Sequence, residues 1–209
     1  MRFFTVELAA AAAASLLFCS LTLVMLSGGM AGFDGAVRMQ VHELTAPWLT
    51  ACVETVTLFG SLGVLVVFGG IEVAILVRSG LRRDAKFVVF VMAGAVVIEN
   101  IVKFSIHRAR PPAFFGTDPT SYSFPSGHAL FALCFYGSLA VVLGRRNVSQ
   151  AASWAVVVCL VTAIGATRIY LGVHYPSDVL AGYLLAIAWL SAALAVTDRG
   201  APAEAPDRR

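Results

Sequence analysis

Charge is what this chain has least of. Asp, Glu, Lys and Arg together make 13% of its 209 residues, where an ordinary soluble domain carries about 25%. Apolar residues fill 59% and the mean hydropathy is +0.84, which excludes a water-soluble domain and implies an integral membrane protein. A soluble parallel-sheet enzyme hides one or two apolar runs, whereas here they recur along nearly the whole length with the charges confined to the gaps. Cysteine is also thin. Cys19, Cys52, Cys134 and Cys159 each fall inside an apolar segment without metal-type spacing, so neither a disulfide framework nor a zinc site is implied and buried free thiols are expected. Internal repeats and linkers are lacking too, which leaves one membrane-embedded domain over residues 1–197 and a polar, disordered cytoplasmic tail over 198–209.

What is there reads as an all-α bundle of six membrane spans, at about residues 3–26, 49–77, 87–102, 127–143, 151–167 and 179–196. The first is longer than the apolar core of a signal peptide and is expected to stay as an uncleaved span. Between the first two, Val37, Val41 and Leu44 recur at helical spacing against Arg38, Gln40, His42 and Glu43, the pattern of a short interfacial helix.

The distribution of basic residues sets the topology. With both termini cytoplasmic, the inner side takes Arg2, Arg78, Arg82, Arg83, Lys86, Arg145, Arg146, Arg199, Arg208 and Arg209, as the positive-inside rule requires. The outer side is left with Arg38, Lys103, Arg108, Arg110 and Arg168. These misplaced cations need a reason.

Three polar clusters stand at the outer ends of spans. Lys103 and Arg110 follow the third, Pro125-Ser126-Gly127-His128 opens the fourth, and Arg168, His174 and Asp178 join the fifth to the sixth. Ser126 is placed to cap a helix, Gly127 lets a ligand approach the backbone, and the helix start favours an anion. Arg110 and Arg168 can present planar forks to phosphate oxygens, with Lys103 as a compact charge. Phosphoryl transfer needs such positioning and neutralisation. Pro176 can start the sixth helix with Asp178 in its first turn. That carboxylate can hold one nitrogen of His174 and leave the other to attack phosphorus, giving a phosphohistidine, while His128 protonates the leaving oxygen. Taken singly, each residue has a plain explanation as a snorkelling cation, a solvated imidazole or a helix cap. Their gathering on the side that disfavours basic residues does not.

Lys103-x6-Arg110-Pro111, then Pro125-Ser126-Gly127-His128, then Arg168-x5-His174-x3-Asp178 resemble the three signature motifs of the type 2 phosphatidic acid phosphatase superfamily. The resemblance implies a six-helix membrane phosphatase that uses no metal or other cofactor and acts on a lipid phosphate or diphosphate from the outer leaflet side. It implies His174 as nucleophile, Asp178 as its partner, His128 as acid, and Lys103, Arg110, Ser126, Gly127 and Arg168 as phosphate ligands. Thr167 stands where the family usually has Ser, with the hydroxyl retained. The expected partners are the lipid phosphate and the surrounding membrane lipids, with no nucleic acid, and the expected site is a bacterial inner membrane with the active site facing outward.

Outside the motifs, Glu99 lies four residues before Lys103 and can pair with it. Asn100 is placed to bond between helices, His107 and Arg108 to be solvated at the interface or to touch a headgroup, and Phe114 and Phe115 to meet the lipid or flank its entry. Other readings are a lipid phosphotransferase with a lipid hydroxyl in place of water, and a transport or structural protein with a vestigial site. Transporter sites favour mid-membrane polar residues and repeated halves, and neither is seen. The continuous spans argue against the soluble haloperoxidases that share such a site.

Overall fold

The computed structural model describes residues 2–116 and 120–198. Among these the chain is all-helical. It runs through α1 (Arg2–Leu26), α2 (Ala31–Glu43), α3 (Pro47–Leu58), α4 (Leu62–Arg78), α5 (Arg82–Ile106), α6 (Gly127–Gly144), α7 (Gln150–Tyr170) and α8 (Pro176–Asp198). Five helices, α1, α5, α6, α7 and α8, are long and apolar enough to cross a membrane, and the bent pair of α3 and α4 counts as a sixth when taken as one span. Of the tail expected to be disordered, Asp198 ends α8 and residues 199–209 lie outside the described residues.

The pattern of enclosure follows from composition. Every span is apolar all round, so burial is decided by neighbours rather than by an apolar stripe. In α6, 67% of the span is enclosed, against 11% in α1. The central helix packs against α4, α5, α7 and α8, and its Leu130, Ala132 and Cys134 join Leu65, Val91, Ala95, Ile164 and Ala186 in one core. α1 sits outside against α8. Leu16, Leu17 and Leu23 of α1 and Val66, Val67 and Ile71 of α4 face outward, as apolar residues do where the solvent is lipid.

The second span departs from expectation. It is not one helix, because the chain breaks after Leu58 and α3 and α4 meet at 48°. The 17 residues of α4 reach about 26 Å at 1.5 Å per residue, nearly the hydrocarbon thickness, so α3 is free to tilt. It leans onto α7. The carbonyl freed at Phe59 accepts the Tyr136 hydroxyl at 2.9 Å, which satisfies a backbone group that lipid would leave bare. Gly60 allows the break to press against α6 and α7, since a Cβ there would strike Ile164 and stand 3.2 Å from His128 Cδ2.

α2 is present as expected, but it is docked as well as amphipathic. It packs on α7 and α8 and buries Asp34. The thiols are corrected: Cys134 alone is buried, while Cys19, Cys52 and Cys159 are exposed on the bundle's outer surface. In an apolar solvent a cysteine gains nothing from facing inward. Asn100 bonds the Val96 carbonyl of its own helix at 2.8 Å rather than a neighbouring helix. At the end of the bundle away from His174, Asp84 of α5 is gripped by Arg145 Nη1 at 2.8 Å and Arg146 Nη2 at 2.6 Å, tying α5 to the end of α6.

Candidate active site

The starts of α6 and α8 are held together by backbone. Ser126 N–H donates to the Asp178 carbonyl at 3.0 Å, and Gly182 permits the approach, since a Cβ there would meet the Ser126 carbonyl at 2.7 Å. Pro176 opens α8 and Asp178 falls in its first turn. One carboxylate oxygen of Asp178, Oδ2, reaches back to the Tyr175 N–H at 2.9 Å, half of a capping box. Asp178 therefore caps its helix while serving the site.

His174, 2% exposed, lies in the turn before α8. Its Nδ1 is 3.4 Å from Asp178 Oδ2, and its Nε2 is 3.0 Å from Arg110 Nη1. A guanidinium only donates, so Nε2 must be the accepting nitrogen and the proton sits on Nδ1, facing the carboxylate. Burial is the main reason the imidazole pKa falls to about 4, with Arg110 and Arg168 pushing the same way and Asp178 opposing. At neutral pH the ring is uncharged and its lone pair is on Nε2.

Arg110 is anchored through Nε to the Ser121 carbonyl at 2.6 Å, through Nη2 to the Ser121 hydroxyl at 2.9 Å and through Nη1 to the Val173 carbonyl at 2.8 Å. Arg168 comes from the last turn of α7, where the helix end favours a cation, and Thr57 of α3 accepts its Nη1 at 2.7 Å. The bend in the second span puts that hydroxyl in place. Lys103 pairs with Glu99 at 2.5 Å, and Glu99 Oε1 lies 2.9 Å from where a Cβ on Gly127 would stand. His128 is within electrostatic reach of Arg168, His174, Arg110 and Lys103. All the residues named from the sequence thus meet at one end of the bundle.

Two polar atoms in this cluster are buried without a partner, Ser126 Oγ and Arg168 Nε. Leaving a buried donor unmade costs about 1–3 kcal/mol, and a bound oxyanion is the kind of acceptor each donor lacks. Ser126 occupies the N-cap position, but its hydroxyl makes no cap bond, contrary to the sequence expectation. That leaves the hydroxyl free for a ligand. Thr167 bonds the Ile164 carbonyl one turn back at 2.5 Å, so its hydroxyl serves the helix.

Several contacts were not foreseen. Arg108 is not solvated: Nη1 meets Asp178 Oδ1 at 2.5 Å and Nη2 meets Asp34 Oδ2 at 2.8 Å. Ser123 donates to Asp178 Oδ2. His107 ends α5 with φ of 53° and packs edge-on against Tyr122. Phe114 stacks on His42 at 4.0 Å and Phe115 on Tyr170 at 5.6 Å, so both pack within the protein rather than against lipid. The only sequence signal for these contacts was a basic residue, Arg108, on the side that disfavours one.

Comparison with known proteins bears on the family and the fold. The model of the PAP2 superfamily matches residues 84–200. Phosphatidylglycerophosphatase B of Bacillus subtilis (strain 168) is 26% identical over 181 residues, which cover 82% of this chain and 87% of that protein. Lipid A 1-phosphatase of Rhizobium johnstonii is 32% identical over 120 residues, covering 53% of this chain and 46% of that one. The crystal structure of a transmembrane PAP2 type phosphatidylglycerolphosphate phosphatase from Bacillus subtilis superposes with a TM-score of 0.84, covering 92% of this chain and 98% of that chain. At 22% identity, that last likeness speaks for the fold alone.

Proposed function

This chain belongs to the PAP2 superfamily and is an integral membrane phosphatase, and on that premise we propose that it hydrolyses a lipid phosphomonoester or diphosphate through a phosphohistidine on His174. The carrying observation is the state of that imidazole, with Nδ1–H toward Asp178 and Nε2 accepting from Arg110. Nε2 attacks phosphorus as the bond to the lipid oxygen breaks, and His128 gives that oxygen a proton. Water then attacks the phosphorus, His128 takes its proton back, and the P–N bond breaks to release phosphate and His174. Arg110, Arg168, Lys103 and the Ser126 hydroxyl neutralise the phosphoryl oxygens, with Gly127 opening the helix start to them.

The substrate class is a phosphate or diphosphate on a lipid tail, such as phosphatidate, phosphatidylglycerol phosphate, undecaprenyl diphosphate or lipid A. The short connections among the described helices leave little room for a large headgroup-reading insertion, which favours recognition by phosphate and tail. The charge pattern supports a site on the outer side of a bacterial inner membrane, with both termini inside. Phosphate release by purified protein in detergent over this panel tests the reading. Because the charge is neutralised by side chains, a metal chelator is expected to change the rate by less than about twofold. Loss of activity on chelation, or transfer of phosphate to an added lipid acceptor with no free phosphate, overturns it.

The pH profile is a second test. His174 must be neutral to attack, and its pKa near 4 places protonation well below that of an exposed imidazole. Activity is therefore present above that value and lost as pH falls through it. After correction for the substrate's own titration, the acid limb of kcat/KM is expected near pH 4. An acid limb at 6.5, the value of a free imidazole, counts against His174.

A further inference from the structure

Asp34 lies on α2, outside the segment matched by the family model, and is only 1% exposed. Its Oδ1 accepts the Ser177 N–H at 2.9 Å, and its Oδ2 accepts the Ser177 hydroxyl at 2.6 Å and Arg108 Nη2 at 2.8 Å. Arg108 turns its other nitrogen, Nη1, to Asp178 Oδ1 at 2.5 Å and to the Ser177 hydroxyl at 2.8 Å. The guanidinium lies over the Tyr175 ring at 4.1 Å. A single cation thus bridges two buried carboxylates, one from α2 and one from α8.

We propose that Asp34 is a positioning residue for phosphoryl transfer, holding Arg108 and Ser177 so that Asp178 keeps its Oδ2 edge toward His174 Nδ1. The inference rests on the phosphohistidine reading above. Asp178 needs Arg108 on Oδ1, because Oδ2 is already shared by Ser123, Tyr175 N–H and His174. Arg108 in turn needs a counterweight. Without one, a guanidinium beside an anion site finds the substrate phosphate as an alternative partner, and a cation that moves there leaves Asp178 free to rotate. Asp34 removes that choice by completing the other half of the fork, and its bonds to Ser177 fix the first turn of α8 at the same time.

The role differs from that of a phosphate ligand, whose loss raises KM, and from that of mere glue between α2 and α8, whose loss lowers the folded fraction. Asp34→Asn is expected to lower kcat by roughly 10- to 100-fold with KM unchanged or lower. One negative charge fewer beside the cluster of His174, Asp178, Arg108, Arg110, Arg168 and His128 makes His174 harder to protonate, so the acid limb moves to lower pH. Asp34→Glu is expected to recover part of the loss, and Asp34→Asn added to Asp178→Asn to cost nothing more. An unchanged kcat overturns the proposal, as does a loss that only follows the melting temperature in detergent with the acid limb unmoved. If Asp34→Asn does not fold, Arg108→Lys takes its place, keeping the charge without the fork. The same fall in kcat at unchanged KM supports the proposal, and wild-type kcat overturns it. His174→Ala separates the levels. If it retains activity, the phosphohistidine reading fails, whereas if it is inactive while Asp34→Asn turns over at the wild-type rate, only the role of Asp34 fails.

Discussion

His174→Ala is expected to lower phosphate release by roughly 10⁴-fold or more, since removing a covalent nucleophile takes away the pathway and leaves only binding and charge neutralisation. The imidazole is nearly enclosed and shares its surroundings with Asp178, Arg110 and Arg168. The measurement is single-turnover phosphate release, together with an alkaline denaturing quench of the wild type. The wild type should yield a labelled phosphoenzyme that is stable in base and labile in acid, and the variant none. A variant that keeps its rate, or an adduct that survives the substitution, shows that phosphorus is attacked by something other than Nε2.

The second large effect is tied to the leaving group. His128→Ala is expected to lower turnover of a lipid phosphate by roughly 10²- to 10⁴-fold, the usual worth of a general acid. A phosphate ester of an acidic phenol needs no proton to leave, so its first step should survive the substitution. Hydrolysis of the phosphoenzyme still needs His128 as base. The variant should therefore release phenol in a burst matching the number of active sites, then slow down. Equal losses on both substrates without a burst place His128 in substrate binding. Its position at the start of α6, close to the Gly60 break, makes large replacements unsuitable, because the ring already packs against that backbone.

The elements were readable because apolar runs of spanning length are hard to mistake, and helix α2 was readable from its mixed periodicity. The bend between α3 and α4 was not. Residues 49–77 are apolar on both sides of Gly60, and hydropathy measures a run without its direction. The same limit hid which span is central: with lipid outside and an apolar core inside, α1 and α6 look alike in composition although their enclosure differs widely. It also misplaced three of the thiols.

At the site, residues in short motifs could be grouped from spacing and charge, since Lys103, Arg110, Arg168 and the two histidines sit at span ends on one side. Asp34 could not. Its partner Arg108 is 74 positions away and Ser177 is 143 away, and a lone Asp in an amphipathic helix carries no sign of burial. Ser126 illustrates the opposite error. Its position was right for a cap, but whether a hydroxyl points to its own helix or to a ligand is decided by a rotamer that sequence does not encode.

The pairing of α1 with α8 bears on how the bundle holds together. Phe18 and Met25 in the second half of α1 pack with Phe124, just before α6, and with Ala181, near the start of α8, so the two helices run antiparallel and the start of α1 and the end of α8 lie at the pole of the bundle opposite His174. Among the described helices, the first in chain order thus has the last as its main partner. Without α8, α1 lacks its main packing partner. Asp178 is carried on the same helix, so the candidate site and the packing of α1 onto the bundle depend on one element.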